Sequence, residues 1–562
     1  MARSDSLARE GARRFTRTDI LPAVLALLSL VLGVTIFAQF IGPSVQVGYD
    51  EGYEAAGVER IIDGKGLPYV DAVSIRGPFL YWSQAIVHLL SGRFQWTGTR
   101  LLGLLSCAAV VVSCFFAGWA ARWPLAGAVA GAVYVFVVAT YYAPGGGIGV
   151  HAEPVAIAYL TTALFLTAYG LYRARTPRSR TIFLAAGGAL VAVAGLTKQT
   201  IAFCSLPMLW WVLAHASIAE ARAAPDGRPR WRPMLKSWAL PFAAGGLGLV
   251  VLVLLRYALA GELGTFFYWS VGVGSKSYMA PYQGRIASMV ADWFIGDPWA
   301  ILGASLALII AIGASLSRVT QFSLKGVLLG FGSAGFETAV GLTGVVLMLA
   351  AALPLRIWPH YFVPVWAFLG LILGVLIERI AVRGAPSPRL GQTAVVLIVG
   401  TLLTISAVVR INQLARDYRN GGMRSPRPDP ACAAIDRIAG AGREEIFIWG
   451  VAGDLYITCQ RRCASMYTHT TLIMGMAPPF WNVDLSRVPT GARERLLSDL
   501  KKKPPKVIVD HSMDAGGTRM VDVPMYASFV SERYCMVEVT NDRKGRSLTL
   551  YARRDLPACK AR

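Results

Sequence analysis

Residues 20–41 carry no charge and are apolar almost throughout, and at roughly 1.5 Å per residue they make enough helix to cross a hydrocarbon core of about 30 Å. Further runs of this kind follow at 98–120, 123–142, 153–172, 182–197, 200–216, 238–258, 298–316, 336–354, 361–378 and 391–409. So many long apolar segments cannot share one soluble core, which constrains the chain to a polytopic helical bundle with lipid as its outer solvent. The composition agrees, with 55% hydrophobic residues among 562 and a mean hydropathy of +0.49. The first run reads as a retained span rather than a cleavable signal. Its apolar core is too long, and no small-x-small cleavage site follows it.

A formal charge of +22 raises nucleic acid as a partner, but the placement of the charge argues against it. Basic residues gather in short segments between spans. Arg3, Arg9, Arg13, Arg14 and Arg17 precede the first, and Arg173, Arg175, Arg178 and Arg180 separate the fourth from the fifth. Alternate loops are poorer in Lys and Arg. That bias orients the N-terminus to the cytoplasm and, with an odd number of spans, residues 410–562 to the opposite side. The expected setting is the bacterial inner membrane, with membrane lipids as partners and no nucleic acid. Three parts follow: a basic cytoplasmic segment at 1–19, a transmembrane domain at 20–409 with a first outer loop at 42–97, and an extracytoplasmic domain at 410–562.

Beyond residue 410 the pattern becomes that of a soluble domain. A helix is expected at 431–439, a strand at 445–449, a helix near 493–503 and, after Pro504-Pro505, a strand at 506–510. Two late strands, near 535–540 and 547–551, flank the turn Asp542-Arg543-Lys544-Gly545. This alternation predicts a small α/β domain of about 130 residues. It holds five of the eight cysteines, Cys432, Cys459, Cys463, Cys535 and Cys559. An oxidising compartment permits disulfides, and the odd number leaves at least one thiol outside intramolecular pairing. Cys459-x3-Cys463 has no second pair at metal-ligand spacing, so a disulfide or a free thiol is expected there rather than zinc.

The first outer loop carries the acidic pair Asp50-Glu51 just beyond the first span. Residues 52–63 place Ala55, Val58 and Ile62 on one face, with Glu59 and Asp63 opposite. That pattern predicts a short helix lying in the membrane interface, with the acidic pair near its N-terminus and Gly64-Lys65-Gly66 and Pro68 ending it. A second amphipathic stretch, 79–90, is expected to hold Tyr81 and Trp82 at headgroup depth. Carboxylates and a cation, Arg76, in one interfacial loop suit chemistry on a substrate with its head at the surface and its tail in lipid. The isolated acidic pair equally suits a helix cap favoured by the macrodipole.

The runs Tyr49-Asp50-Glu51-Gly52-Tyr53-Glu54-Ala55-Ala56, Gly64-Lys65-Gly66-Leu67-Pro68-Tyr69 and Arg76-Gly77-Pro78-Phe79-Leu80-Tyr81-Trp82 resemble the first outer loop of the GT-C glycosyltransferases. The nearest group is the bacterial protein O-mannosyltransferase/aminoarabinose transferase-like family, a glycosyltransferase family 39-like group. Three segments resemble that family in the same order: His151-Ala152-Glu153-Pro154, Gly195-Leu196-Thr197-Lys198, and Arg356-Ile357-Trp358-Pro359-His360-Tyr361-Phe362. In the tail, Ile448-Trp449-Gly450, Leu455-Tyr456 and the stretch from Arg462 to Tyr467 look like its usual outer domain. One departure stands out. The family's Lys-Pro-Pro is here Arg76-Gly77-Pro78, which keeps the cation as a forked guanidinium able to grip phosphate bidentately. It also leaves the closest subfamily, and so the sugar, open.

The resemblance implies an all-α GT-C membrane protein of about eleven transmembrane helices with a small α/β outer domain. It also implies transfer of a sugar from a polyprenyl-phosphate donor to an envelope lipid, glycan or protein. No cofactor is implied, although Asp50, Glu51 and Glu153 offer donors for a divalent ion. Phosphate leaves as a stable anion, with a second pKa of about 6, so the reaction needs a base and cations but no general acid. Asp50 is assigned as the base of an inverting displacement, Glu51 as an orienting group and Glu153 as a further acidic group, with a helix cap as its plainer role. Arg76 is the first choice for the phosphate. Lys198, Arg356, His360, Tyr361 and Lys65 are further donor-binding candidates, the cations among them also fitting headgroup anchors. Two other classes share the spans: a transporter or flippase of envelope lipids, and a non-catalytic scaffold. No inverted repeat or half-helix pair marks a transporter, and a scaffold should tolerate Asp50→Asn.

Overall fold

The computed structural model describes residues 15–38, 49–141, 151–224, 230–279, 335–352, 359–383, 387–419, 429–476, 485–512 and 518–560. The apolar runs form helices α1 (Ile20–Ala38), α4 (Trp96–Ala120), α5 (Pro124–Tyr141), α6 (Ala152–Tyr172), α7 (Pro177–Thr197), α8 (Ser205–Ala223), α9 (Leu240–Leu259), α10 (Phe336–Ala352), α11 (Val363–Ile377) and α12 (Pro388–Arg419). Between α1 and α4 lie α2 (Tyr49–Asp63) and α3 (Pro78–Ser91), both in the first loop. Every span expected from the sequence coincides with one of these helices except 298–316, which lies outside the described residues. Among the described residues, eight helical segments are long and apolar enough to cross a membrane. The chain is an integral membrane protein.

Local chemistry sets many of the boundaries. Proline at the first position opens α3 and α7, where its missing N–H costs nothing and its fixed φ suits the first turn. The Thr176 hydroxyl accepts from the Ser179 N–H at 3.1 Å and caps α7. Apolar side chains such as Leu25, Val110, Leu160, Trp211 and Phe368 fill the middle of the bundle. On its outside, Leu247, Val251 and Leu259 of α9 and Leu390, Leu397 and Leu402 of α12 are exposed, as lipid-facing side chains must be. The 32 residues of α12 extend for about 48 Å, well beyond a hydrocarbon core, and lead out of the bundle toward the C-terminal domain.

That domain begins with α13 (Pro430–Ala439), capped by Asp429, whose carboxylate accepts from the Ala431 N–H at 2.9 Å. Strands β1 (Glu445–Gly450), β2 (Arg462–Cys463), β3 (Val507–His511), β4 (Tyr534–Asn541) and β5 (Ser547–Arg553) form one mixed sheet in the order β2-β1-β3-β5-β4. The first three run parallel, and β5 is antiparallel to both of its neighbours. Helices α14 (Ala492–Lys502) and α15 (Pro524–Arg533) complete it. The sequence pattern anticipated α13, α14 and four of the strands but not α15, whose aromatic residues Tyr526 and Phe529 pack inward at helical spacing. Disulfides join Cys432 to Cys459 and Cys535 to Cys559, and Cys463 remains a buried thiol, so the cysteines behave as their odd number required.

Two expectations about the first loop need correction. The acidic side of α2 is solvated only at its end: Asp63 is exposed, but every residue from Glu51 to Glu59 is buried. Glu59 instead accepts from His88 at 3.0 Å, from the Phe94 N–H at 2.7 Å and from Arg93 at 2.9 Å. Burial opposes its charge, yet these donors together hold its carboxyl below the ordinary range. Tyr81 likewise does not present its ring to headgroups; it is 1% exposed and packs with Val58, Leu80 and Val155. The reason is common to both. α2 is covered on one side by α3 and on the other by the C-terminal domain, so only its last turn reaches solvent. Gly52 sits directly on the loop after β1, where a Cβ would fall 2.5 Å from Asp454 Cα. Arg60 reaches across to the Cys463 carbonyl at 2.6 Å, and the Tyr53 ring lies 4.2 Å from that of His469.

Candidate active site

Helix ends converge at one end of the bundle, beneath α2, and each brings a charge. Glu153 lies in the first turn of α6 and Lys198 immediately follows α7, the two positions at which a helix dipole favours an anion and a cation. The α6–α7 hairpin returns these ends to the same level. Lys198 Nζ then meets Glu153 Oε1 at 2.6 Å, with the carboxylate 1% exposed. Glu153 Oε2 faces Arg76 Nη1 at 4.0 Å, too long for a hydrogen bond. Arg76 Nε pairs with Glu54, which is fully buried on α2. One turn earlier on the same helix Glu51 accepts from Arg100 Nε at 3.2 Å, near the start of α4.

Arg76 is placed by backbone rather than by its own side chain. Tyr69, held at φ 70° although it is not glycine, donates its hydroxyl to the Arg76 carbonyl at 2.6 Å. The Gly77 N–H donates to the Thr197 carbonyl at 3.1 Å, and Gln199 Nε2 donates to the Ile75 carbonyl at 3.1 Å. These bonds stitch the loop to the turn that carries Lys198. They also give the departure from Lys-Pro-Pro a physical reason, because proline at 77 has no N–H to donate. Even one methyl is too much there, since a Cβ on Gly77 would lie 1.9 Å from the Leu196 carbonyl oxygen. Gly77→Ala is therefore expected to push the loop off α7 and draw Arg76 away from Lys198. Stability should fall by about 1–3 kcal/mol, which thermal unfolding of the purified variant checks.

The remaining candidates divide. Lys198 Nζ lies 4.3 Å from the centre of the Tyr361 ring, and Tyr361 is edge-on to His360. His360 stacks on His151 with ring centres 4.3 Å apart and planes 9° apart. Asp50 is the second residue of α2, and the described side chains of that helix begin at Glu51. Arg356 lies outside the described residues. Lys65 stands apart: its backbone N–H donates to Asp71 at 3.0 Å, and its ammonium is exposed and faces Glu262 at 3.7 Å. Sequence reasoning missed Glu54, Arg100 and His151 as parts of the cluster. Glu54 was signalled by its three-residue spacing from Glu51, and Arg100 by being a charge at the mouth of an apolar run.

His151, Glu153 and His360 bring possible metal-ligating atoms within 4.8 Å of one another. Two nearly parallel rings cannot both aim an in-plane lone pair at one ion, and an ammonium already holds one oxygen of Glu153. In this arrangement the three form a stacking and ion-pair cluster. Its chemical capacity is to bind an anion at the end of the bundle, beside carboxylates able to take a proton.

No protein-family model and no curated protein sequence significantly matches the chain. Among solved structures, ArnT from Cupriavidus metallidurans in the apo state superposes with a TM-score of 0.53 at 15% identity, covering 93% of this chain and 97% of that one. The same protein bound to undecaprenyl phosphate superposes with a TM-score of 0.50 at 16% identity, over the same shares of both chains. The chain has the GT-C fold. An oligosaccharyltransferase from Archaeoglobus fulgidus is a more distant likeness, with a TM-score of 0.46 at 12% identity over 93% of this chain and 73% of that one. The GT-C architecture here is an all-α membrane domain joined to a small C-terminal α/β domain, as the residues of the first loop implied.

Proposed function

We propose that the protein is a membrane glycosyltransferase that moves a sugar from a polyprenyl-phosphate donor to an envelope lipid, glycan or protein at the outer face of the bacterial inner membrane. The observation that carries this reading is the convergence of Arg76 and Lys198 on one buried carboxylate. Desolvating two cations costs several kcal/mol each, and apolar residues of similar volume would hold the helices together as well. What such a pair supplies is a place for an anionic head at the membrane surface. The structural likeness to ArnT bound to undecaprenyl phosphate supports a lipid phosphate as that anion.

In the proposed reaction Arg76 and Lys198 hold the donor phosphodiester, with Tyr361 and His360 around it; Arg356 stays a candidate on its sequence motif alone. Lys65, whose ammonium faces Glu262, is left out of the donor site. The acceptor oxygen attacks the anomeric carbon from the side opposite the phosphate. The bond from that carbon to the phosphate oxygen breaks, its electron pair stays with the departing polyprenyl phosphate, and the configuration inverts. The hydroxyl proton passes to Asp50. Glu51 is committed to Arg100 at 3.2 Å, which suits it to orienting the loop and leaves the base to its neighbour. Charge bias between the loops supports a cytoplasmic N-terminus with residues 410–562 outside, and the three-part division at residues 19 and 409 belongs to the same reading.

Mass spectrometry of envelope lipids, glycans and glycoproteins from cells with and without the protein tests this. The expected result is the loss of one sugar mass from a defined acceptor. Identical profiles, with an envelope precursor retained on the inner side, would return the transporter reading.

A further inference from the structure

We propose that Glu153 is the resident occupant of the donor-phosphate site: its carboxylate holds Lys198 and Arg76 until a lipid phosphate displaces it, and its return helps to expel the product. The inference rests on the donor site proposed above.

The geometry around Glu153 carries it. One oxygen is held by Lys198 at 2.6 Å, while the other faces Arg76 at 4.0 Å and, although buried, makes no hydrogen bond. This is a carboxylate gripped at one end only. A phosphodiester presents the same pattern of two oxygens sharing one negative charge, so side chains arranged for one also bind the other. Charge balance points the same way. Among the described side chains of the cluster, three carboxylates (Glu51, Glu54 and Glu153) stand against three cations (Arg76, Arg100 and Lys198). A donor adds one negative charge beside these carboxylates, in surroundings that screen poorly. It enters at least cost by taking over cations that a carboxylate already neutralises. Glu153 is the carboxylate set between Lys198 and Arg76, and so it is the group to move.

Displacement also serves the end of the cycle. The departing polyprenyl phosphate is a monoester with up to two negative charges, and two buried cations free of any competitor would hold it more tightly than the donor. A carboxylate tethered on α6 weakens both complexes and favours release of the product. Glu153 therefore sets the affinity of the site, in opposition to the cations.

The test is binding of farnesyl phosphate, with farnesol as the control lacking phosphate, to the purified full-length protein in nanodiscs. Glu153→Gln keeps the shape and removes the competing charge. It should bind farnesyl phosphate about tenfold tighter than wild type, leave farnesol binding unchanged, and slow product release in a transfer assay. Lys198→Met should bind farnesyl phosphate more weakly. If Glu153→Gln does not fold, Glu153→Asp, which draws the carboxylate back by one methylene, should also tighten binding. Equal or weaker binding in the folded Glu153 variant, with Lys198→Met still impaired, overturns the proposal and makes Glu153 a positioning partner of Lys198. A gain shared by farnesol overturns it too, by placing the effect on the tail. If neither Lys198→Met nor Arg76→Ala alters binding, the donor-site reading itself fails and the inference falls with it.

Discussion

Arg76→Ala is expected to weaken binding of the polyprenyl-phosphate donor by about tenfold to 150-fold, the equivalent of the roughly 1.5–3 kcal/mol that a hydrogen bond to a charged group contributes. Acceptor selection should change far less. Arg76→Lys should recover part of the loss, since it keeps the charge but not the planar fork. A complication follows from the packing: Arg76 is the partner of the fully buried Glu54, so its removal leaves a carboxylate exposed to a penalty of about 3–5 kcal/mol. Adding Glu54→Gln to Arg76→Ala removes that charge. The double variant should regain stability in thermal unfolding while remaining defective in donor binding. Undiminished donor affinity in a folded Arg76→Ala protein would move the phosphate site elsewhere.

The parts legible in the sequence were those governed by periodicity and by short-range chemistry. Apolar run length located the membrane helices because a backbone crossing hydrocarbon must satisfy its own hydrogen bonds, and continuous runs of about 20 apolar residues suit a helix rather than a barrel strand. Proline and glycine marked where the helices of the first loop begin and end. Illegible parts depended on what covers each surface. The residues of α2 have an amphipathic pattern, and an isolated helix of that pattern would place Glu59 in water. Here α3 and the C-terminal domain bury it instead, and His88, Arg93 and the Phe94 N–H replace the water. Burial of most of a helix by its own loop and by a domain some four hundred residues further along the chain leaves no local signature.

Much the same holds for the candidate site. Glu153, Arg76, Lys198, His360 and Tyr361 were singled out separately, from helix ends and short motifs. That Lys198 lies 2.6 Å from Glu153, and that both sit beside Arg76, is a property of the α6–α7 hairpin and of the loop pressed on its end. The role of Gly77 could not be read as more than a departure from Lys-Pro-Pro. Only the approach of the Leu196 and Thr197 carbonyls shows why a side chain and a proline are both excluded there. Lys65 illustrates the reverse case: it belongs to the same loop and carries the right charge, but the Gly64–Gly66 turn directs it to Glu262.

In the proposed mechanism Asp50 removes the acceptor proton in a direct transfer from a lipid phosphate. Asp50→Asn preserves size and much of the hydrogen bonding but cannot take that proton. General-base catalysis typically contributes about 100- to 10,000-fold, so turnover should fall by that factor while the protein remains folded and still binds the donor. Glu51→Gln should cost less, because an amide still accepts from Arg100 and preserves part of the orienting role. The decisive measurement uses purified wild-type and Asp50→Asn protein in lipid bilayers, with a defined polyprenyl-phosphate sugar and an envelope extract as acceptor. It follows sugar incorporation, release of polyprenyl phosphate and anomeric configuration. Wild type should release one polyprenyl phosphate for each sugar transferred, with inversion, and Asp50→Asn should do both about 100- to 10,000-fold more slowly. Near-wild-type turnover by Asp50→Asn, or transfer with retained configuration, would contradict Asp50 as the base and leave it a helix cap.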